Sequence, residues 1–254
     1  MTDIPQKELF ESLCAAESYR VQGIDAESGI GIYNEKRLHR ILKNTVCEKE
    51  DCFEVKVGRY VADVLDDDTV YEIQCASFKP LQRKLEYYLA ETEYEICVLC
   101  PIISKKTVIR AERETGEIMR VRTSPKRQNE WNALAKLYPI RHLLGNERLM
   151  VKIMLIEAEE YRYSEAVRYR KSGKYDSELF PTLLAGSVEL CGAGDYKKFL
   201  PEELRGAEFS ASDFSRLTKL KSRDAYSALN TLAELGLIAR EKNGRAVRYK
   251  LDLS

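Results

Sequence analysis

The sequence predicts an α/β protein whose main domain runs helix, three strands, helix, strand around a mixed sheet, with a small C-terminal domain of different character. Three observations predict it. Helical stripes at Leu38, Ile41, Leu42 and at Leu81, Leu85, Tyr88, Leu89 bracket three short strand patterns. A nearly continuous apolar run over 95–103 follows, as a strand buried on both faces reads. Beyond residue 190 the pattern changes to two short helices and an Asn243-Gly244 hairpin signal. A chain of 254 residues with 44% hydrophobic content can bury one good core and a smaller second one. The expected division is an N-terminal extension over 1–30, a main domain over 31–175, a linker over 176–189 and a C-terminal domain over 190–254.

Residues 1–30 are mixed and somewhat acidic, with a short helix around 6–19. In the helix over 32–44, Glu35 stands three, four and seven residues before Leu38, His39 and Leu42, so it shares the buried face. A carboxylate aimed at a core is costly unless a charged group receives it. Strands follow over 52–57, 59–65 and 70–76, with Gly58 as one turn and the polar run 66–69 as a loop. If Leu65 pairs with Val70, Asp63 falls opposite Glu72, and the period of 2 puts Gln74 on the same face as Glu72. Side chains so placed approach to roughly 5 Å, where like charges are destabilising. The pair therefore asks for a divalent cation, and in its absence removal of either acid is expected to raise the melting temperature. On a solvated face the same two acids would be an ordinary exposed pair.

After 103, strand patterns at 105–110 and 118–122 suggest a second hairpin, 129–137 a helix and 149–158 a buried strand. Residues 101–127 hold eight Lys/Arg against three Glu, an excess of five that suits a DNA backbone, through Arg120 and Arg122 among others. A charged, solvated edge strand is the competing reading. The segment 159–175 crowds four tyrosines among five Lys/Arg without a resolvable role.

Forty-one basic and 41 acidic residues cancel, so any affinity for nucleic acid must come from local asymmetry. The longest apolar run has about eight residues against the roughly 20 needed to span a bilayer, so no membrane association is expected. The acidic start, Asp3, Glu8 and Glu11, does not resemble the cationic start of a signal peptide, and a cytoplasmic protein is expected. Seven scattered cysteines fit reduced thiols. Cys97 and Cys100 have metal-ligand spacing, but strand alternation points them to opposite faces.

The element order, with an acid on the first helix, Val61-Ala-Asp63-Val64 on the second strand and Tyr71-Glu72-Ile73-Gln74-Cys75-Ala-Ser77 on the third, resembles the PD-(D/E)XK, or restriction-endonuclease-like, nuclease superfamily. The wording is most similar to its competence-associated CoiA-like branch, where the third-strand motif is often Glu-Ile-Gln. The resemblance covers roughly residues 30–103 and implies an αβββαβ core. Ala62 stands where the family has Pro, and Gln74 where it has Lys; Glu-x-Gln occurs among active members. What it implies is Mg²⁺- or Mn²⁺-dependent phosphodiester hydrolysis. Asp63, Glu72 and the backbone carbonyl of Ile73 would hold the ion, Glu35 would act through a bound water, and Gln74 would orient water or phosphate. An amide cannot be a general base, and the positive charge that Gln74 lacks must come from elsewhere. Lys84, three residues after Leu81 and four before Tyr88, stands at the edge of the buried helical stripe and is the candidate.

The last 65 residues resemble a winged helix-turn-helix. A helix capped by Ser212, a turn at 219–221 and a second helix with Ala225, Leu229 and Leu232 inward precede the Asn243-Gly244 hairpin. Residues 216–250 hold nine Lys/Arg and three acids. Arg223, Ser227 and Asn230 are the candidate base readers, with Lys242, Arg245 and Arg248 on the wing. Winged helices also serve as protein-interaction modules. The reading is a Mg²⁺-dependent endonuclease acting on double-stranded DNA, with a dimer or two sequential nicks for double-strand cleavage. The alternative is a non-catalytic DNA-binding regulator on a decayed nuclease scaffold.

Overall fold

The computed structural model describes residues 4–21, 30–112, 115–164, 177–243 and 246–251. Helices α1 (Ile4–Val21) and α2 (Ile30–Val46) lead into β1 (Phe53–Val57), β2 (Tyr60–Asp66) and β3 (Thr69–Ile73), then α3 (Gln82–Glu91) and β4 (Glu95–Glu112). Next come β5 (Ile118–Thr123), α4 (Glu130–Lys136), a 3₁₀ turn at Tyr138–Leu143, β6 (Leu149–Ser164) and β7 (Ser177–Cys191). Helices α5 (Ala211–Thr218) and α6 (Ser222–Glu234) and strands β8 (Ile238–Asn243) and β9 (Ala246–Leu251) follow.

The protein is mixed α/β, with a seven-stranded sheet in the order β1-β2-β3-β4-β6-β7 and β5 paired with β4 off that path. β1–β2, β2–β3 and β4–β5 are antiparallel, and β3–β4 is parallel. A parallel neighbour needs a crossover, which α3 supplies. From α2 to β4 the elements follow the expected order of helix, three strands, helix, strand. No helix among the described residues is long and apolar enough to cross a membrane.

Two compact units divide the chain, each discontinuous in sequence. The first comprises Met1–Asp51, Ile103–Gln128 and Met154–Ser187; the second comprises Cys52–Ile102, Asn129–Ile153 and Val188–Ser254. Of the stretch 176–189, expected as a linker, residues 177–189 lie in β7. Pro181 and Gly186 read as breakers, but β7 ends the sheet order, where proline is tolerated, and Phe180, Leu184 and Leu190 are buried along it. In the first unit α1 packs on α2 through a core that includes Phe10, Cys14, Leu38, Ile41 and Leu42.

In the second unit Val64, Val70, Ile96, Val98 and Leu99 form the sheet core, and Leu81, Leu85 and Tyr88 are buried in and just before α3. Gly58 joins β1 to β2 at φ 59°, and a Cβ there would collide with the Tyr87 hydroxyl. That ring packs edge-on against Tyr60 and Tyr88 and carries the Arg59 guanidinium 4.6 Å away, so it has little room to yield. Gly58→Ala should therefore cost about 1–3 kcal/mol, measured as a lower urea midpoint.

Candidate functional site

The site is built within the second unit from β2, β3 and α3. Leu65 pairs with Val70 and Val64 with Tyr71, the expected register. Asp66 also pairs with Thr69, so the turn tightens to Asp67-Asp68, with Asp67 at φ 49°, a region aspartate tolerates better than most residues. Carried one residue further, the register sets Asp63 opposite Glu72. The ladder pairs end there, and the Ile73 N–H donates to Asp63 Oδ2 at 2.7 Å.

Glu72 lies in β3, between β2 and β4, and is only 3% exposed. The Lys84 ammonium reaches it from α3, with Nζ 2.6 Å from Oε1 and 2.7 Å from Oε2. Tyr88, one helical turn on from Lys84, donates its hydroxyl to Oε1 at 3.4 Å. The Glu72 carboxyl is pushed up to about 7, with burial the main cause and the Asp63 charge adding to it against the opposing pull of Lys84. The Tyr88 hydroxyl is likewise held above its ordinary value, by burial first and then by Glu72. The two acids are therefore not left to repel each other: a backbone N–H compensates Asp63 and an ammonium compensates Glu72. With both acids compensated, removing either one is expected to lower the melting temperature of the metal-free protein rather than raise it.

Gln74 lies beyond the end of β3, shorter than the expected strand over 70–76, so the strand period no longer governs it. Its backbone N–H donates to Leu99 O and its side-chain Nε2 to Ser77 O, each at 2.9 Å. Glu35 belongs to α2, but its side chain lies outside the described residues. The structure thus brings Asp63, Glu72, Ile73 and Lys84 together. Tyr88 was read only as core, because its apolar spacing hid the use of its hydroxyl.

Cys97 and Cys100 are both buried in β4, and burial pushes both thiols up to about 12. In the second unit a thiol and a carboxylate also meet elsewhere, with Cys52 Sγ 3.9 Å from Asp66 Oδ1.

In the C-terminal segment Ser210, not Ser212, caps α5. Its backbone N–H donates to Asp213 Oδ2 at 2.9 Å, and its hydroxyl accepts from the Asp213 N–H at 3.2 Å. Lys219 turns the chain at φ 60°. On α6, Ala225, Leu229 and Leu232 are buried as expected. Arg223 is exposed on the opposite side with Tyr226, which is 49% exposed and was not anticipated although it stands three residues from Arg223 and off the apolar stripe. Ser227 donates to the Arg223 carbonyl and Asn230 to the Tyr226 carbonyl, so both are partly spent on their own helix. Lys242 and Arg248 are exposed on β8 and β9, while Arg245 lies outside the described residues. The pairing Asn243↔Ala246 puts Asn243 in the strand, while Gly244, the other residue of the expected turn signal, lies outside the described residues. In the first unit Arg120 and Arg122 sit on β5, every residue of which is exposed.

A family model described as a domain of unknown function (DUF8091) matches residues 36–184, a span that includes Asp63, Glu72, Gln74 and Lys84 and ends before α5. No curated protein and no solved structure matches the chain.

Proposed function

The chain belongs to that family of unknown function, and from its own site we propose that it is a metal-dependent DNA endonuclease similar to the PD-(D/E)XK enzymes. The observation that carries the reading is the Lys84 ammonium 2.6 Å from Glu72, delivered by the helix that follows the strand. It supplies the cation that Gln74 lacks, beside two carboxylates in hairpin register.

The donor set suits Mg²⁺ or Mn²⁺. Asp63 and Glu72 offer hard oxygens, the Ile73 carbonyl is a third candidate, and three such ligands would leave about half of an octahedral shell to water. When bound, such an ion would polarise the phosphate and lower the pKa of water. The chain's own residues do the rest. The Ile73 N–H fixes the Asp63 carboxylate, Tyr88 and Lys84 orient Glu72, and Lys84 offers fixed positive charge where the phosphate gathers negative charge. Gln74 can orient a water or a phosphate oxygen but cannot remove a proton.

The order α5, α6, β8, β9, with Phe209 bridging to Tyr249, supports a winged helix that binds duplex DNA through Arg223, Tyr226, Lys242 and Arg248. Arg120 and Arg122 would track phosphates. Nicking of supercoiled plasmid with Mg²⁺ or Mn²⁺, against a chelator control, tests the activity. Binding without nicking would favour the second reading, a non-catalytic DNA-binding scaffold. One observation favours that reading: Gln74 stands where the PD-(D/E)XK family has Lys, and its side chain is engaged by the Ser77 carbonyl.

Point substitutions test the DNA contacts better than truncation, because Val188–Ser254 is part of the second unit. Asn129 Nδ2 donates to Thr218 O and Trp131 Nε1 to Phe199 O, each at 3.2 Å. Arg223→Ala should lose sequence preference before overall affinity in a competition assay, whereas Lys242→Ala should weaken all duplexes alike and lower the slope of log K against log salt by about 1.

A further inference from the structure

A cleft of about 480 Å³ in the second unit is lined by Tyr138 and Arg141 of the 3₁₀ turn, Asn230, Ala233 and Glu234 of α6, and Arg240 of β8. We propose that it holds one unpaired nucleotide of a DNA strand, so that the preferred substrate is a duplex with a single-stranded extension or junction. The proposal rests on the DNA-binding part of the function above and is independent of the cleavage site.

The volume fits one nucleotide and cannot admit a duplex. Each lining group matches a part of that ligand. The Arg141 guanidinium lies 4.3 Å over the Tyr138 ring and is tethered by the Tyr138 carbonyl at 3.0 Å and by Glu234 at 3.4 Å. A planar cation tethered over a ring, with the ring edge beside it, offers apolar and π surface on which a splayed base can stack. Arg240 meets no carboxylate at ion-pair distance among the described residues; its partner is the neutral Asn230 Oδ1 at 3.5 Å. Its charge is thus available to a phosphate. Glu234 engages Arg141 through Oε2, and a carboxylate has further acceptor capacity for base N–H groups, which guanine presents as an adjacent pair. Those N–H groups lie on the Watson–Crick edge, so the base must be unpaired. Two guanidiniums against one carboxylate leave the cleft net positive, and the nine Lys/Arg against three acids over 216–250 favour a strand over a free nucleotide.

The test is fluorescence anisotropy with the full chain in chelator, comparing a blunt duplex, the same duplex with a three-guanine extension, and GMP as competitor. The expected result is at least about tenfold tighter binding of the extended duplex. Arg141→Lys, which keeps the charge and removes the plane, and Glu234→Gln, which weakens the tether, should each abolish that preference and leave blunt-duplex affinity unchanged. Arg240→Ala should abolish it too. Equal wild-type affinity for blunt and extended duplexes would overturn the proposal while leaving duplex binding intact. Retention of the preference by all three variants would also overturn it, as would displacement by GMP as effective as by the extended strand. Failure to bind either duplex would sink the DNA-binding reading and this proposal with it.

Discussion

Asp63→Ala and Glu72→Ala should each lower Mg²⁺- or Mn²⁺-dependent plasmid nicking at least about a thousandfold, roughly 4 kcal/mol of barrier. Each removes one of the two carboxylates available to the ion. Full nicking by both variants would end the nuclease assignment. Both should also destabilise the metal-free protein. Glu72→Ala leaves the Lys84 ammonium, whose side chain is only 17% exposed, without its carboxylate. Breaking a buried pair costs about 3–5 kcal/mol, and the lower end applies here because a lysine can swing toward water. Asp63→Ala leaves the Ile73 N–H without its acceptor, worth about 1.5–3 kcal/mol for a bond to a charged group. A higher melting temperature in either variant would mean that repulsion dominates the metal-free hairpin after all.

The same carboxyl sets a pH dependence. Burial raises Glu72 in the folded protein to about 7, from an ordinary value of 4.5. Its contribution to metal-free stability is therefore full below about 4.5 and is lost as pH rises through about 7. A divalent ion needs the ionised form, so the opposite trend is expected with metal. The rise in melting temperature on adding Mg²⁺ should grow from pH 6 to pH 8, and a flat response would detach Glu72 from the ion.

Lys84→Met should slow cleavage at least about tenfold, roughly 1.4 kcal/mol, with little loss of DNA affinity. It should also move the rising limb of the pH profile upward, because Lys84 draws the Glu72 carboxyl down and methionine cannot. A merely structural lysine would lower stability without moving that limb. Lys79→Met should do less, since Lys79 is exposed and precedes α3. Gln74→Lys in the Lys84→Met background should restore part of the rate. Normal cutting by Lys84→Met, with no effect of Gln74→Lys, would leave the electrostatics to the metal alone.

Local rules were enough for the register of the β2–β3 hairpin and for the face of α3. A strand period of 2 and a polar turn set Asp63 opposite Glu72, and helical spacing put Lys84 one turn from Tyr88. Both are short-range consequences of backbone geometry. The apolar stripe of α6 was legible for the same reason, and Arg223 lies off it as expected. Other features depend on long-range packing. The Lys84–Glu72 contact requires α3 to dock against β3, and the Ile73 N–H reaches Asp63 only because the β2–β3 pairing ends at Val64–Tyr71. That β7 is a strand despite Pro181 follows from its place at the end of the sheet order, which local sequence does not encode. The division into two discontinuous units, and a cleft lined from a 3₁₀ turn and from residues about ninety positions later, were likewise beyond local reading. The sequence determined which residues share a face, because that follows from repeat geometry; the tertiary structure decided which faces meet, because that depends on how distant segments compete to bury the same apolar surface.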